Sequence, residues 1–233
     1  MKLLPHSKAA RIRASLICAA FLGVCFYRNV FSLWQVAVYQ PREGDIVFQS
    51  LPHAELVDAI EGVSQSPWSH CGVVMQSEGH WQVVEAIGHV RRTPLAAWVM
   101  RGRSGRFAAY RTTSTVSLPA EAKFHDSLSA ALTTYMGRPY DFRYAPGDRE
   151  IYCSELVFKA YRDAFGVELG EWEELGHLNW KPFESLIRTL EGGPVPLQRR
   201  IITPRAITRS PVLYRVYPKG MQGGGLKTEK IPG

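Results

Sequence analysis

The sequence of 233 residues has few cysteines, and they lack the spacings found in metal-binding or disulfide-rich domains. The four cysteines, at positions 18, 25, 71 and 153, include no Cys-x-x-Cys pair and no cysteine–histidine spacing of a structural zinc site. We therefore expect no disulfide framework and no metal site, and nothing in the sequence indicates a cofactor.

Acidic residues are absent from the first 40 positions and scarce after residue 190. The net charge of +7 therefore comes from the two ends, because residues 41–190 carry 15 basic and 19 acidic side chains and are mildly acidic. No base-reading or stacking motif accompanies the basic ends, so we do not expect nucleic acid as a partner. Basic ends of this kind are better suited to a membrane surface.

Internal repeats are also absent, and a hydrophobic fraction of 45% is ordinary for a globular chain that folds as one domain. We expect this domain to span residues 41–217. The glycine- and lysine-rich residues 218–233 are predicted to be a disordered basic tail.

Residues 1–40 are predicted to be a basic leader with a hydrophobic anchor or signal segment. Basic residues up to Arg13 precede an apolar run over residues 14–27, and no clean cleavage site follows. An uncleaved anchor is the preferred interpretation, with lipidation of Cys25 or an apolar helix packed on a soluble core as alternatives. Phe31, Trp34 and Val38 lie at helical spacing and could rest in the membrane interface. The charge pattern puts the domain on the non-cytoplasmic side.

Hydrophobic periodicity predicts an α+β domain. Short strands are expected at residues 46–48, 69–76, 81–87 and 106–111, with antiparallel pairing through short loops. Helices are expected at residues 54–61, 119–136 and 150–165, and a strand with a final short helix within residues 201–214. Residues 168–190, which are rich in glutamate, are interpreted as a solvated loop or insertion.

Cys153 is the candidate nucleophile. It stands at the head of the helix predicted over residues 150–165, in which Leu156, Val157 and Ala160 share its face. The positive end of a helix dipole favours a thiolate within the first turn.

His70 and Glu85 are the candidate partners of this cysteine. His70 is at the start of one predicted strand, and Glu85 is a carboxylate within the next apolar strand, where an isolated charge would be costly. A hairpin can bring the two side by side, so that Glu85 orients the imidazole. Alternation along the strand predicts that Cys71 faces away from His70 as a small buried hydrophobe.

Each of these residues also has an ordinary structural interpretation. A cysteine in a helix is more often part of the core, a histidine at a strand start is often packed or on the surface, and a strand glutamate usually faces solvent. The catalytic hypothesis depends on the three patterns occurring together.

Several short motifs resemble the NlpC-type papain-like amidases. Gly137-Arg138-Pro139-Tyr140-Asp141 and Tyr152-Cys153-Ser154-Glu155-Leu156-Val157 are similar to the blocks around their cysteine. Here the Ser-His-x-Gly-Val block at residue 69 and the Val-Glu-Ala block at residue 84 precede the cysteine, as in the circularly permuted YaeF/YiiX-type branch. The resemblance covers roughly residues 41–217 and implies a papain-like fold, with an antiparallel sheet packed against the cysteine-bearing helix.

The resemblance further implies Cys153 as nucleophile, His70 as base and Glu85 as orienting residue. The backbone N–H of Cys153 is the natural oxyanion donor, and Tyr140 and Tyr152 are candidate oxyanion or pocket residues. Tyr152 and Asp141 depart from the pattern of the ordinary members, so the substrate preferences of those enzymes are not transferred; Asp141 could instead cap a turn. The arginines at 91, 92, 101, 103 and 106 are interpreted as solvated loop charges, or as the rim of a groove for an anionic substrate.

The sequence thus predicts a cysteine amidase or peptidase that cleaves an amide bond of a cell-envelope-type substrate through an acyl-thioester. The substrate would be a small molecule, a peptide or a lipid amide, and the oligomeric state is open. One alternative is a lipid-ester hydrolase or acyltransferase of the same fold. Another is an envelope-binding module without catalysis.

Overall fold

The computed structural model describes residues 30–114, 116 and 118–218, together with residues 15, 17, 19, 23 and 27 of the N-terminal segment. The predicted tail beyond residue 218, most of the leader, and Cys18 and Cys25 lie outside the described residues.

The strands of the fold are β1 (Ile46–Gln49), β2 (His70–Ser77), β3 (His80–Ile87), β4 (His89–Pro94), β5 (Phe107–Thr112), β6 (Glu173–Glu174), β7 (Arg200–Ile201) and β8 (Leu213–Tyr217). Six of them form a central antiparallel sheet with the order β4-β3-β2-β1-β5-β8. A two-stranded sheet pairs β6 with β7.

Helices cover both faces of the large sheet. The first, α1, includes residues 30–39. The others are α2 (Glu55–Ser64), α3 (Leu95–Arg101), α4 (Glu121–Thr133), α5 (Cys153–Phe165), α6 (Glu184–Glu191) and α7 (Pro204–Thr208).

Alternation along the strands divides the core into two layers. Cys71, Val73 and Met75 of β2 belong to the larger hydrophobic cluster, which also contains the apolar face of α5. Val74 belongs to a second cluster with Trp98 of α3 on the other side of the sheet. Both layers are apolar, which explains why β1, at the centre of the sheet, is buried along its whole length.

Helix α5 begins at Cys153 and ends before Gly166, which adopts the left-handed conformation (φ 69°) of a helix C-cap. Its first nine residues are all buried. Near its middle the buried Lys159 bonds to Asp148 and Glu155, and so ties the preceding loop to the helix.

Five helices and strands were not predicted from the sequence: β4, α3, β6, α6 and β8. Strand β4, helix α3 and strand β8 fall where the sequence shows no regular alternation, and their arginines obscure the apolar pattern. Residues 168–190 are not a solvated loop, because they contain β6, two short 3₁₀ turns and most of α6. Their glutamates lie beside apolar side chains such as Leu175, which is buried.

Helix α1 packs on the domain through polar side chains and through Val36 and Tyr39 of the second cluster, and it presents other apolar side chains to solvent. Gln35 donates to the carbonyl of Gly105, and the hydroxyl of Tyr39 donates to Asp45 at 2.7 Å. Leu33, Trp34 and Val38 are about half exposed. Among the residues that the structure describes, no helix has the length and apolar character needed to cross a membrane.

Candidate active site

Cys153 is the first residue of α5 and is only 2% exposed. The backbone N–H groups of a first helical turn lack intrahelical acceptors, and they point toward any anion placed there. The preceding residue, Tyr152, has extended backbone angles and provides no side-chain cap. The thiol thus lies at the positive end of a helix whose N–H groups are not used by a capping side chain.

His70 and Glu85 are in contact, as the hairpin argument predicts. Nε2 of His70 lies 2.5 Å from Oε2 of Glu85, and both side chains are buried. His70 is the first residue of β2, and Glu85 lies in the paired strand β3. Since Nε2 is used by Glu85, Nδ1 is the nitrogen left for Cys153.

Glu85 has further partners from β4 and α3. Oγ1 of Thr93 donates to Oε1 of Glu85 at 2.6 Å, and the guanidinium of Arg101 donates to Oε2. Nε of Arg91 lies 3.7 Å from Oε1. The carboxylate is completely buried, and these donors compensate for its lost hydration.

Arg101 and Arg103, which pair with Glu85 and Glu61, are therefore not solvated loop charges. The side chain of Arg91 remains 42% exposed. The sequence contained one signal for this arrangement, because a carboxylate in an apolar strand requires partners and a run of arginines follows it. The sequence did not identify Thr93 and Arg101 as partners of Glu85, because the strand β4 and the helix α3 that contain them were not predicted.

The interactions of the three predicted residues favour a thiolate–imidazolium pair. The largest effect on the pKa of Cys153 is a hydrogen bond from Cys71, which lowers it. Burial of the thiol raises this pKa, but the hydrogen bond and positive charge of His70 lower it further. The pKa of Cys153 is therefore well below its usual range. Burial lowers the pKa of His70, but hydrogen bonds and charges of Cys153 and Glu85 outweigh it and raise that pKa to about 9. Proton transfer from thiol to imidazole is thereby favoured.

Glu85 remains ionised beside this pair. Burial raises the pKa of its carboxyl, but the hydrogen bonds and positive charges of His70 and Arg101 lower it to about 2. A negative Glu85 in turn supports the protonated form of His70.

Cys71 lies beside Cys153. The sequence predicted instead that Cys71 faces away from the candidate site. Its side chain points into the core layer of α5, as alternation requires, and the cysteine of α5 is in that same layer. Burial and the neighbouring Cys153 raise the pKa of Cys71 well above its usual value, so it stays a thiol and donates to the Cys153 sulfur. His70 and Cys71 both interact with Cys153, although they are consecutive in one strand.

Gly72 makes the close approach of β2 and β3 possible at this point. A Cβ atom there would lie 2.5 Å from Cγ1 of Val83 and 2.8 Å from the carbonyl oxygen of Val84. It would also lie 3.3 Å from Cβ of Glu85. The absence of a side chain at Gly72 thus leaves room for β3 beside β2, next to the contact of His70 with Glu85.

The two predicted pocket tyrosines lie next to the thiol in different ways. The hydroxyl of Tyr152 accepts a hydrogen bond from the backbone N–H of Ile202 at 3.0 Å, which fixes the segment after β7 to the start of α5. The hydroxyl of Tyr140 lies 3.0 Å from that of Tyr144. Burial raises the pKa of Tyr140 well above its usual value, and the nearby Cys153 adds to this effect.

Asp141 organises the loop that carries Tyr144. Its carboxylate accepts hydrogen bonds from the backbone N–H groups of Arg143 and Ala145, at 2.8 and 2.6 Å. Tyr144 between them has a positive φ of 54°, which is uncommon for an aromatic residue. The alternative interpretation of Asp141, as a turn cap, is therefore the one observed.

Comparisons with known proteins agree with this geometry. The model of the permuted papain-like amidase family (YaeF/YiiX, C92 family) matches residues 40–217. The uncharacterized protein YiiX of Escherichia coli K12 is 31% identical over 180 residues, which cover 76% of this chain and 87% of that protein. The crystal structure of YiiX from Escherichia coli O157:H7 aligns with a TM-score of 0.70 and 30% identity, over 76% of this chain and 97% of that one.

That crystal structure is described as one of a metalloprotein. In the described part of the present chain, no group of three or more histidine, cysteine, aspartate or glutamate side chains is arranged to hold a metal ion. Both oxygens of Glu85 already accept hydrogen bonds from protein donors. The residues present at this site do not fit a metal centre.

Proposed function

Because the chain belongs to the YaeF/YiiX family of permuted papain-like amidases, we propose that it is a cysteine hydrolase acting through Cys153, His70 and Glu85. The observation that carries this proposal is the continuous buried chain of interactions from Glu85 through His70 to Cys153. Such a chain supplies a nucleophile, a proton carrier and a group that orients it.

The first half-reaction forms an acyl-thioester. The Cys153 thiolate attacks the carbonyl carbon of an amide, and the oxygen becomes an anion that faces the N–H groups at the start of α5. The imidazolium of His70 gives its Nδ1 proton to the nitrogen of the leaving group. The carbon–nitrogen bond then breaks and the amine departs.

The second half-reaction returns the enzyme to its starting state. Nδ1 of His70 takes a proton from water, and the resulting hydroxide attacks the thioester carbonyl. The carbon–sulfur bond breaks, a carboxylic acid is released, and Cys153 leaves as the thiolate. Throughout both half-reactions, Glu85 accepts a hydrogen bond from Nε2–H of His70, so that Nδ1 continues to face the sulfur of Cys153.

We assign the substrate to the cell-envelope class, with the domain on the non-cytoplasmic side of a membrane. The basic leader supports this location, and so do the exposed apolar side chains of α1, which share one face at helical spacing. The lowered pKa of Cys153 favours turnover over the alternative of a binding module without catalysis. Acyl transfer would share the first half-reaction and replace water by an alcohol or amine.

The test uses butanoyl p-nitroanilide, an amide whose cleavage releases a coloured product. Its acyl group, when bound to the enzyme, can be detected by the increase in protein mass. We expect release of p-nitroaniline, together with a hydroxylamine-sensitive butanoyl adduct on Cys153 in quenched samples examined by mass spectrometry. Cys153→Ala should show neither, while its circular dichroism spectrum stays unchanged. Turnover that persists at the wild-type rate in a folded Cys153→Ala protein would refute the proposal.

A further inference from the structure

Two thiols from distant parts of the chain meet at the candidate active site, and only one of them reacts in the proposed hydrolysis. Cys71 and Cys153 are both free and buried. Cys71 is the second residue of β2 and Cys153 the first residue of α5, and both belong to the larger hydrophobic cluster. The packing of α5 on β2 therefore brings the second thiol to the first.

Cys71 contacts the candidate nucleophile through two groups. Its thiol and its backbone N–H both donate hydrogen bonds to the sulfur of Cys153. A sulfur that accepts two hydrogen bonds from one residue lies directly against that residue. Cys71 is therefore the thiol in position to react with any electrophilic form of Cys153.

The two thiols differ in protonation in the way that a stepwise oxidation requires. Hydrogen bonds from Cys71 and His70 keep the pKa of Cys153 well below its usual range, whereas burial raises the pKa of Cys71. The thiolate is the form that peroxides oxidise, so oxidation begins at Cys153. Cys153 is 2% exposed, and hydrogen peroxide needs a smaller opening to its sulfur than any acyl substrate does.

From this arrangement we infer that Cys153 and Cys71 are a site of reversible oxidation, at which a peroxide converts the two thiols into a disulfide. The Cys153 thiolate attacks one oxygen of hydrogen peroxide, so that a sulfur–oxygen bond forms and the oxygen–oxygen bond breaks. The departing hydroxide takes the proton of the His70 imidazolium and leaves as water. Cys153 is then a sulfenic acid.

The second step closes the disulfide. The sulfur of Cys71 attacks the sulfur of the Cys153 sulfenic acid, and a sulfur–sulfur bond forms. The sulfur–oxygen bond breaks, and the hydroxyl group leaves as a second water with the proton of the Cys71 thiol. The two thiols have together lost two electrons, and the peroxide has been reduced to water.

The disulfide removes the nucleophile and also protects it. Cys153 in a disulfide has no thiolate, so turnover stops; this loss of turnover rests on the proposed function, whereas formation of the disulfide does not. Without Cys71 the sulfenic acid would be oxidised further to sulfinic acid, which thiol reductants do not reverse. Dithiothreitol reduces the disulfide by exchange and restores both thiols.

The test treats the reduced full chain with hydrogen peroxide, blocks the remaining thiols with iodoacetamide in urea, and digests the protein with trypsin without reduction. Trypsin places Cys71 in residues 43–91 and Cys153 in residues 150–159, apart from the two cysteines of the leader. We expect these two peptides to be linked with the loss of two hydrogen atoms. Dithiothreitol should abolish the link.

Cys71→Ser is the matched control, because it keeps a hydrogen-bond donor and cannot form the disulfide. Its Cys153 should proceed to sulfinic acid, which adds two oxygen atoms to the peptide of residues 150–159. Turnover of the anilide after peroxide and then dithiothreitol is compared with the untreated rate of the same protein. The wild type should regain roughly tenfold more of its rate than Cys71→Ser.

The peptide map separates this inference from the proposed function, since the link is measured in the wild type and needs no substrate. A linked peptide in a protein that turns over no anilide would support the oxidation site and overturn the hydrolase. Turnover that depends on Cys153, with sulfinic acid at Cys153 and an unmodified Cys71 after peroxide, would overturn the oxidation site and leave the hydrolase. Equal recovery of the wild type and Cys71→Ser would overturn protection by Cys71. Absence of both the link and turnover would overturn both.

Discussion

Nε2 of His70 lies 2.5 Å from Oε2 of Glu85, and the two side chains are only 3% and 0% exposed. This bond decides which imidazole nitrogen faces Cys153. It also places a negative charge beside the ring, which favours the protonated form of His70. In the proposed mechanism Glu85 therefore acts through His70, and its contribution can be measured in the pH dependence of activity.

Glu85→Gln should move the alkaline limb of the activity profile to lower pH. In the wild type the pKa of His70 is about 9, so the imidazolium that protonates the leaving amine in the proposed mechanism is lost as the pH rises through that value. Without the carboxylate, the midpoint of the alkaline limb should lie between about pH 9 and about pH 6.5, the ordinary pKa of histidine. The measurement is kcat/KM for an acyl p-nitroanilide against pH.

Glu61→Gln is the matched control for this profile. Glu61 is also a partly buried carboxylate paired with an arginine, Arg103, but it has no contact with His70. Its substitution should leave the limb near pH 9. An unchanged limb in Glu85→Gln would mean that Glu85 does not set the protonation of His70.

Cys71→Ala should raise the pKa of Cys153. Cys71 donates a hydrogen bond to the Cys153 sulfur, and among the interactions that lower the pKa of Cys153 this bond has the largest effect. The pH dependence of iodoacetamide alkylation, followed at the Cys153 peptide by mass spectrometry, should therefore shift upward. Cys71→Ser keeps a hydrogen-bond donor of similar size and should shift the pH dependence of alkylation less. Equal shifts in the two variants would contradict a role for the hydrogen bond.

Gly72→Ala should destabilise the protein by roughly 1–3 kcal/mol, the usual cost of overpacking a core position. The added Cβ atom would collide with Val83 and with the carbonyl oxygen of Val84, a backbone atom that cannot rotate away. Urea unfolding measures the change. Gly193→Ala, where no atom lies within 4 Å of the added Cβ, should be nearly neutral. Equal stability of the two variants would show that β2 and β3 can separate without cost.

Trp34→Glu should weaken binding of the full chain to vesicles that contain anionic phospholipid. Trp34 is 57% exposed on the apolar face of α1, and a charge there opposes insertion into the interface. Co-sedimentation with vesicles gives the bound fraction, and Thr189→Glu is the surface control. If Trp34→Glu binds as well as the wild type, α1 does not contact the lipid.

Much of the fold is encoded locally and could be predicted. The apolar pattern of residues 69–76 and 81–87 and the short loop between them predict a hairpin, and a hairpin brings His70 near Glu85. The helical periodicity after Cys153 predicts an amphipathic helix with the thiol at its start. These inferences need only the periods of strand and helix, which side-chain geometry imposes on any sequence.

The surroundings of the site could not be predicted, because they depend on residues distant in sequence. Arg101 reaches Glu85 from α3, a short helix whose pattern is too brief to recognise. Cys71 meets Cys153 only because α5 packs on that face of the sheet. Likewise, α2 and α6 form a pocket only once the chain has folded.

The sequence by itself determined which residues are the catalytic candidates and the order in which they occur, since residue type and local periodicity are properties of short segments. The tertiary structure decided what surrounds them: which thiol donates to Cys153, which arginine stabilises Glu85, and which apolar walls adjoin the site. The physical reason is that burial and the packing of one element on another determine hydrogen-bond partners, pKa values and cavities, and these are properties of the folded chain as a whole.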